Sequence, residues 1–168
     1  YTVWQDIVTL SNIWDKVYFR NNSDTDKWLS TSADNFYKFV LTWSVAASWD
    51  ITYLINKNWT KNIISDYCFY CMFVAQSSLT SAPSLPATTL TSNCYTRMFT
   101  NCTWLTSLPN LPATTLPNTC YYLMFAWCSW IKLSTTQTWE YQTAYRIPTE
   151  WTGTPAHRLS APWSACLR

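Results

Sequence analysis

Between Asp66 and about Ile131 the apolar positions return at a fixed interval of 26 residues. The fullest unit reads Ser92-Asn-Cys-Tyr-Thr-Arg-Met-Phe-Thr-Asn-Cys-Thr-Trp-Leu-Thr-Ser-Leu-Pro-Asn-Leu-Pro-Ala-Thr-Thr-Leu116. Cys68, Met72, Phe73, Leu79, Pro83, Leu85, Pro86 and the run Ala87-Thr88-Thr89-Leu90 stand one period earlier, at the phases of Cys94, Met98, Phe99, Leu105, Pro109, Leu111, Pro112 and Ala113-Thr114-Thr115-Leu116. A third copy opens at Cys120, Met124, Phe125, Cys128 and Ile131 and then loses its second half. Side chains of one kind at one phase mark a stacked repeat, in which each unit buries its apolar face only against the next.

Within each unit the pattern predicts a short helix, a short strand and an extended return. Asp66, Ser92 and Asn118 share one phase, and all three are good helix N-caps placed just before apolar residues spaced at four. Cys94, Met98 and Cys102 lie at i, i+4 and i+8, as do Cys120, Met124 and Cys128, so about ten residues carry one apolar face. Met72, Met98 and Met124 are expected to point inward as one ladder. Leu105 to Leu108 is the strand candidate, and Pro109 and Pro112 hold the return extended.

The flanks read differently. Ile7–Leu10, Lys16–Arg20 and Phe36–Leu41 alternate apolar and polar residues with β-branched and aromatic content, which predicts strands. Ser44–Ala47 continues that pattern, and Ile51–Ile55 adds a further apolar segment. The expected organisation is a β-rich N-terminal cap over 1–60, a leucine-rich repeat solenoid over 61–131, and a C-terminal cap with a loose tail over 132–168. The fold class is an α/β solenoid, a short leucine-rich repeat array with one short helix and one short strand per unit.

Composition narrows the function. The hydrophobic share of 48% argues for a packed core, and a charged share of 12% is about half the usual. A formal net charge of +2 without clusters leaves no electrostatic footprint for nucleic acid. No apolar run is long enough to span a bilayer, and no basic-then-apolar leader opens the chain. A chain that opens on Tyr1 rather than Met reads as a processed or trimmed piece, which leaves room for a missing export signal.

Of seven cysteines, five recur at repeat phases, with Cys71 close by. Equivalent positions in a stack form interior ladders, where a free thiol behaves as a small buried hydrophobe. Disulfides and metal binding are the alternatives, the second opposed by a single histidine, His157. Cys68-Phe-Tyr-Cys71 fits a redox spacing, yet Arg97 and Leu123 stand where Cys71 does. Asp24, Asp26, Asp34 and Asp50 read as turn formers, since calcium wants a tighter oxygen cluster. No nucleophile with a base, no carboxylate pair and no glycine-rich phosphate loop is present, so no catalytic residue, metal or cofactor is expected.

The units resemble those of the BspA-type leucine-rich repeat proteins of bacterial cell surfaces. The resemblance extends upstream through Asp15–Arg20 and Tyr37–Thr42 and downstream through Ile131–Ser134 and Glu140–Pro148, and the chain departs from the family from Thr154 onward. It implies an exported, surface-attached, non-enzymatic protein that serves adhesion or binds an extracellular or host protein. Thr103, Thr106 and Ser107 would line the regular outer face of the stack without entering the core. A glycan-binding module using exposed aromatics is the alternative.

One anomaly cuts across that alternative. The chain holds 1 Gly and 12 Trp, where a domain of this length ordinarily has roughly 12 Gly. Trp14, Trp49, Trp59 and Trp139 sit between polar turn formers, where a residue free to take positive φ is usual. Trp4, Trp28, Trp43 and Trp127 are further positions at which the resembling family would have glycine. The reading is that tryptophan stands here for glycine, with the rings of Trp14, Trp49, Trp59 and Trp139 in turns, largely exposed and making few core contacts; a protein truly rich in surface tryptophan is the competing one.

Overall fold

The computed structural model describes residues 9, 11, 12, 14–22, 25, 26, 29–57, 64–128, 130 and 131. The Ile7–Leu10 strand, all but Thr9, and the whole C-terminal cap and tail therefore lie outside the described residues, as do Trp59, Trp139 and His157. Regular elements are few: strand β1 at Val45–Ala46, a 3-10 helix at Ile51–Leu54, and strand β2 at Leu79–Ser81. β1 and β2 pair in parallel, Val45 against Leu79 and Ala46 against Ser81, with a register shift between the two pairs.

The expected helix of each unit is replaced by a run of turns over 66–75, 92–101 and 118–127. The backbone hydrogen bonds explain why. In the first copy the N–H groups of Tyr67, Phe69, Cys71, Phe73 and Ala75 donate to the carbonyls of Ser92, Cys94, Thr96, Met98 and Thr100 in the next unit. Residues between them close local turns, Tyr70 N–H to Tyr67, Met72 to Phe69, Val74 to Cys71 and Gln76 to Phe73. The second copy repeats the arrangement, with Asn93, Tyr95, Arg97, Phe99 and Asn101 donating to Asn118, Cys120, Tyr122, Met124 and Ala126. An α-helix directs its N–H groups four residues back, so it has none left for a neighbouring layer. Alternating donors satisfy both the local turn and the layer above.

Such a path requires left-handed residues at regular places. Positive φ occurs at Tyr67, Cys71 and Ala75, at Asn93, Arg97 and Asn101, and at Thr119, Leu123 and Trp127. All but Asn93 are the third residue of a hydrogen-bonded four-residue turn, where a type II turn demands positive φ. Asp66, expected to cap its own helix, instead accepts the Ser92 N–H of the next unit at 3.0 Å.

The apolar period of four survives the change, because the turn pairs also repeat every four residues. Met72, Met98 and Met124 are all buried, 2%, 0% and 0% exposed, as their shared phase suggested. Two aromatic ladders run beside them through the layers. Phe39, Phe73, Phe99 and Phe125 stack with centroids 5.1, 5.6 and 5.5 Å apart. Phe69, Tyr95 and Tyr121 stack at 5.6 and 5.8 Å. Rings held nearly parallel at these separations sit within the range where aromatic pairs attract beyond the area they bury.

Phe39 begins one of these ladders because the segment before the repeat forms a layer of its own. Phe39 N–H donates to Met72 at 2.9 Å, Val45 N–H to Ser78 at 3.0 Å, Ala47 N–H to Ser81 at 3.2 Å and Ile51 N–H to Ser84 at 3.2 Å. Neither Lys16–Arg20 nor Phe36–Leu41 forms a strand. In Phe36–Leu41 the alternation places Phe39 and Leu41 against the core, while the Phe39 N–H bonds to a turn run that offers no straight strand edge. Ile51–Leu54 opens with Asp50, whose carboxylate accepts the Thr52 N–H at 2.9 Å, as a turn-forming Asp should. In the second unit Leu105–Leu108 is irregular, although Thr106 still reaches back to the Thr80 carbonyl at 3.4 Å.

Candidate functional site

The outer edge that carries Thr103, Thr106 and Ser107 lies just past the second turn run. Thr103 is half-buried, and Thr106 and Ser107 are exposed. Their counterparts one unit earlier show what hydroxyls do along this edge. Thr80 donates its hydroxyl to the Val45 carbonyl at 3.1 Å, and Ser81 donates to Ala47 at 2.8 Å. Thr106 then donates to Thr80. These hydroxyls tie one layer to the one before it, which leaves Ser107 and the exposed side chains of Asn110, Thr114 and Thr115 facing outward. Arg97 and Asp66 are the exposed charges of the turn runs, so the runs are nearly neutral.

The thiols are set in the opposite environment. The six described cysteines are free and buried. Burial pushes Cys68, Cys102 and Cys120 up to about 12, and Cys94 well above its ordinary value, where the neighbouring thiols of Cys120 and Cys68 add to the effect. Cys102 donates its thiol to the Phe73 carbonyl, and Cys128 to that of Phe99, each at 3.0 Å. Gln76 occupies the corresponding phase of the first unit and accepts the Leu41 N–H at 2.7 Å. Cys71, the second member of the C-x-x-C spacing, takes positive φ and has its thiol pushed up by burial. A nucleophilic cysteine needs an electropositive setting that stabilises thiolate; Arg97 and Lys38 act on Cys71 in that sense, but burial outweighs them.

A prediction follows for the thiols. Cys94 and Cys120 should react with a thiol reagent only after denaturation, and native mass spectrometry showing a disulfide between units would contradict this. The raised values also set a pH dependence. Above the unfolded value near 9.0 the unfolded chain releases thiol protons that the folded chain retains. Stability is therefore expected to fall from about pH 9 upward, as an alkaline shift of the urea midpoint would reveal.

Tyr95 and Tyr121 are likewise held protonated by burial. The Tyr95 hydroxyl, the Ser65 hydroxyl and the Trp49 indole N–H are buried without a hydrogen-bond partner. Asp15 differs, since backbone N–H groups of Asn12 and Ser11 hold its carboxyl below the usual range in an exposed turn. Among the described residues no group of three or more His, Cys, Asp or Glu could hold a metal ion, and no helix is long and apolar enough to cross a membrane. Reading the sequence alone missed the second aromatic ladder, although Phe69, Tyr95 and Tyr121 stand 26 residues apart.

Against known proteins, the chain matches no family model, no curated protein and no solved structure.

Proposed function

We propose that this chain is part of a non-enzymatic, BspA-type leucine-rich repeat protein of a bacterial cell surface, serving adhesion by binding an extracellular or host protein. In this reading the units of 66–131 are turns of a leucine-rich repeat solenoid whose usual helical side is replaced by a spiral of tight turns. The observation that carries the reading is the layer-to-layer hydrogen bonding repeated from unit to unit, beside an outer edge of hydroxyl and amide groups. Regular stacking offers a partner a flat, repeating surface, which is how solenoid folds make extended contacts. Fold alone does not assign a ligand, so the partner class rests on the resemblance of the units.

A second reading, glycan binding, draws on Trp104 and Trp130, which share one phase and are 50% and 64% exposed. Purified protein carrying residues 1–168 should retain extracellular host proteins in a pull-down and show no saturable binding on a glycan array run in parallel. Replacing Ser107 and Asn110 together by bulky charged residues should abolish retention without moving the melting curve. Saturable glycan binding with no retained protein would reverse the order of the two readings.

A further inference from the structure

The tryptophans are placed unlike the ladder aromatics of the stack, while Tyr67, Tyr70 and Tyr122 of the turn runs are half-buried. Phe69, Phe73, Phe99, Phe125, Tyr95 and Tyr121 are all buried. Of the described tryptophans, Trp14, Trp43, Trp104, Trp127 and Trp130 are 83%, 81%, 50%, 52% and 64% exposed. Trp49, expected to be exposed with few core contacts, is instead half-buried against the core beside Phe19 and Phe39, with its indole N–H lacking an acceptor, and neither it nor Trp14 or Trp43 takes positive φ. Tryptophan is highly buried on average and, when buried, ordinarily finds a partner for its N–H. Neither habit is kept here.

Trp127 sharpens the contrast, because its φ is 60°. Ala75 and Asn101 hold the same phase with φ of 59° and 61°, so the backbone path imposes the left-handed conformation there whatever the side chain. A Cβ atom crowds the following carbonyl in that conformation, and only glycine escapes the cost. No described residue is glycine, since Gly153 is the single one in the chain and lies outside the described residues.

We infer that the natural protein carries glycine at its tryptophan positions, and that this sequence has tryptophan written for a codon its source organism reads as glycine. The exchange accounts for the shortage of glycine, the excess of tryptophan, the exposed rings and the left-handed Trp127 through one cause. It also changes the interaction surface. Without Trp104, Trp127 and Trp130 the edge beside Thr103, Thr106 and Ser107 holds no aromatic platform, and a partner meets hydroxyl and amide groups alone. This inference stands on backbone and burial and is independent of the adhesion reading.

Trypsin cuts after Arg97 and Lys132 and at no residue between, so one peptide, 98–132, reports Trp104, Trp127 and Trp130 together. Mass spectrometry of that peptide, taken from protein isolated from its natural source, is expected to show glycine at all three positions. Tryptophan at any of the three overturns the inference. A second measurement tests the backbone argument on recombinant protein with the sequence as written. Trp127→Gly is expected to raise the urea midpoint and Trp127→Ala to raise it less, whereas a glycine variant no more stable than the parent would remove the strain on which the inference leans.

Discussion

Met98→Asp is expected to abolish cooperative unfolding. Met98 is 0% exposed in the middle layer, its N–H donates to Tyr95 and its carbonyl accepts the N–H of Phe73 from the layer before. An aspartate at this position would be a carboxylate with no cation beside it and no water to reach, and burying an unpaired charge costs several kcal/mol after relaxation. Whole domains are stable by only about 5–15 kcal/mol. Because every layer is covered by its neighbours, failure of the middle one uncovers the apolar faces on both sides. Circular dichroism during heating should show a broad drift in place of a sigmoid. An unmoved melting curve would mean that the units are not aligned as described.

Phe99→Ala should be the most damaging simple truncation in the stack, lowering stability by about 3–5 kcal/mol in urea titration. The ring of Phe99 lies between those of Phe73 and Phe125, at 5.6 and 5.5 Å and within 10° of parallel to both. Removing it opens a cavity in the ladder and ends two ring contacts at once. The adjoining ladder offers a contrast of opposite sign. Tyr95 is equally enclosed, between Phe69 and Tyr121, yet its buried hydroxyl has no partner. Tyr95→Phe keeps the ring and removes the orphaned group, and Phe69 already shows that this phase accepts a ring without a hydroxyl. The expected gain is roughly 1 kcal/mol, the lower end of what an unsatisfied buried group costs. If Tyr95→Phe instead destabilises, the hydroxyl has an acceptor in solution.

The period of 26, the phases of the methionines and cysteines, and the burial of both classes could be read from the chain alone. They are legible because a stacked unit places equivalent residues in equivalent surroundings, so identity recurs wherever packing constrains it. The turn-forming part of Asp50 was also visible, since a short carboxylate before an apolar run has a local hydrogen bond within reach. The exposed edge at Thr106 and Ser107 followed from the same phases, although the Thr106 hydroxyl proved to bind the preceding layer.

Three features were decided by tertiary structure. A run of about ten residues cannot separate an apolar period of 3.6 from one of four, so Cys94, Met98 and Cys102 suit a helix and a spiral of turns equally well. The turn path prevails because it releases alternate N–H groups to the next layer, a bond that exists only once that layer is in place. The alternation of Phe36–Leu41 suggested a strand, but where its N–H groups go depends on residues some 33 positions later, Phe39 to Met72 among them. Finally, composition and local turn context raised the question of tryptophan in place of glycine, and only the backbone placed one of those tryptophans, Trp127, in the conformation that glycine tolerates best. Local sequence sets which side chains seek the core; the partners of the backbone, and through them the handedness of each residue, are set by the layer that arrives next.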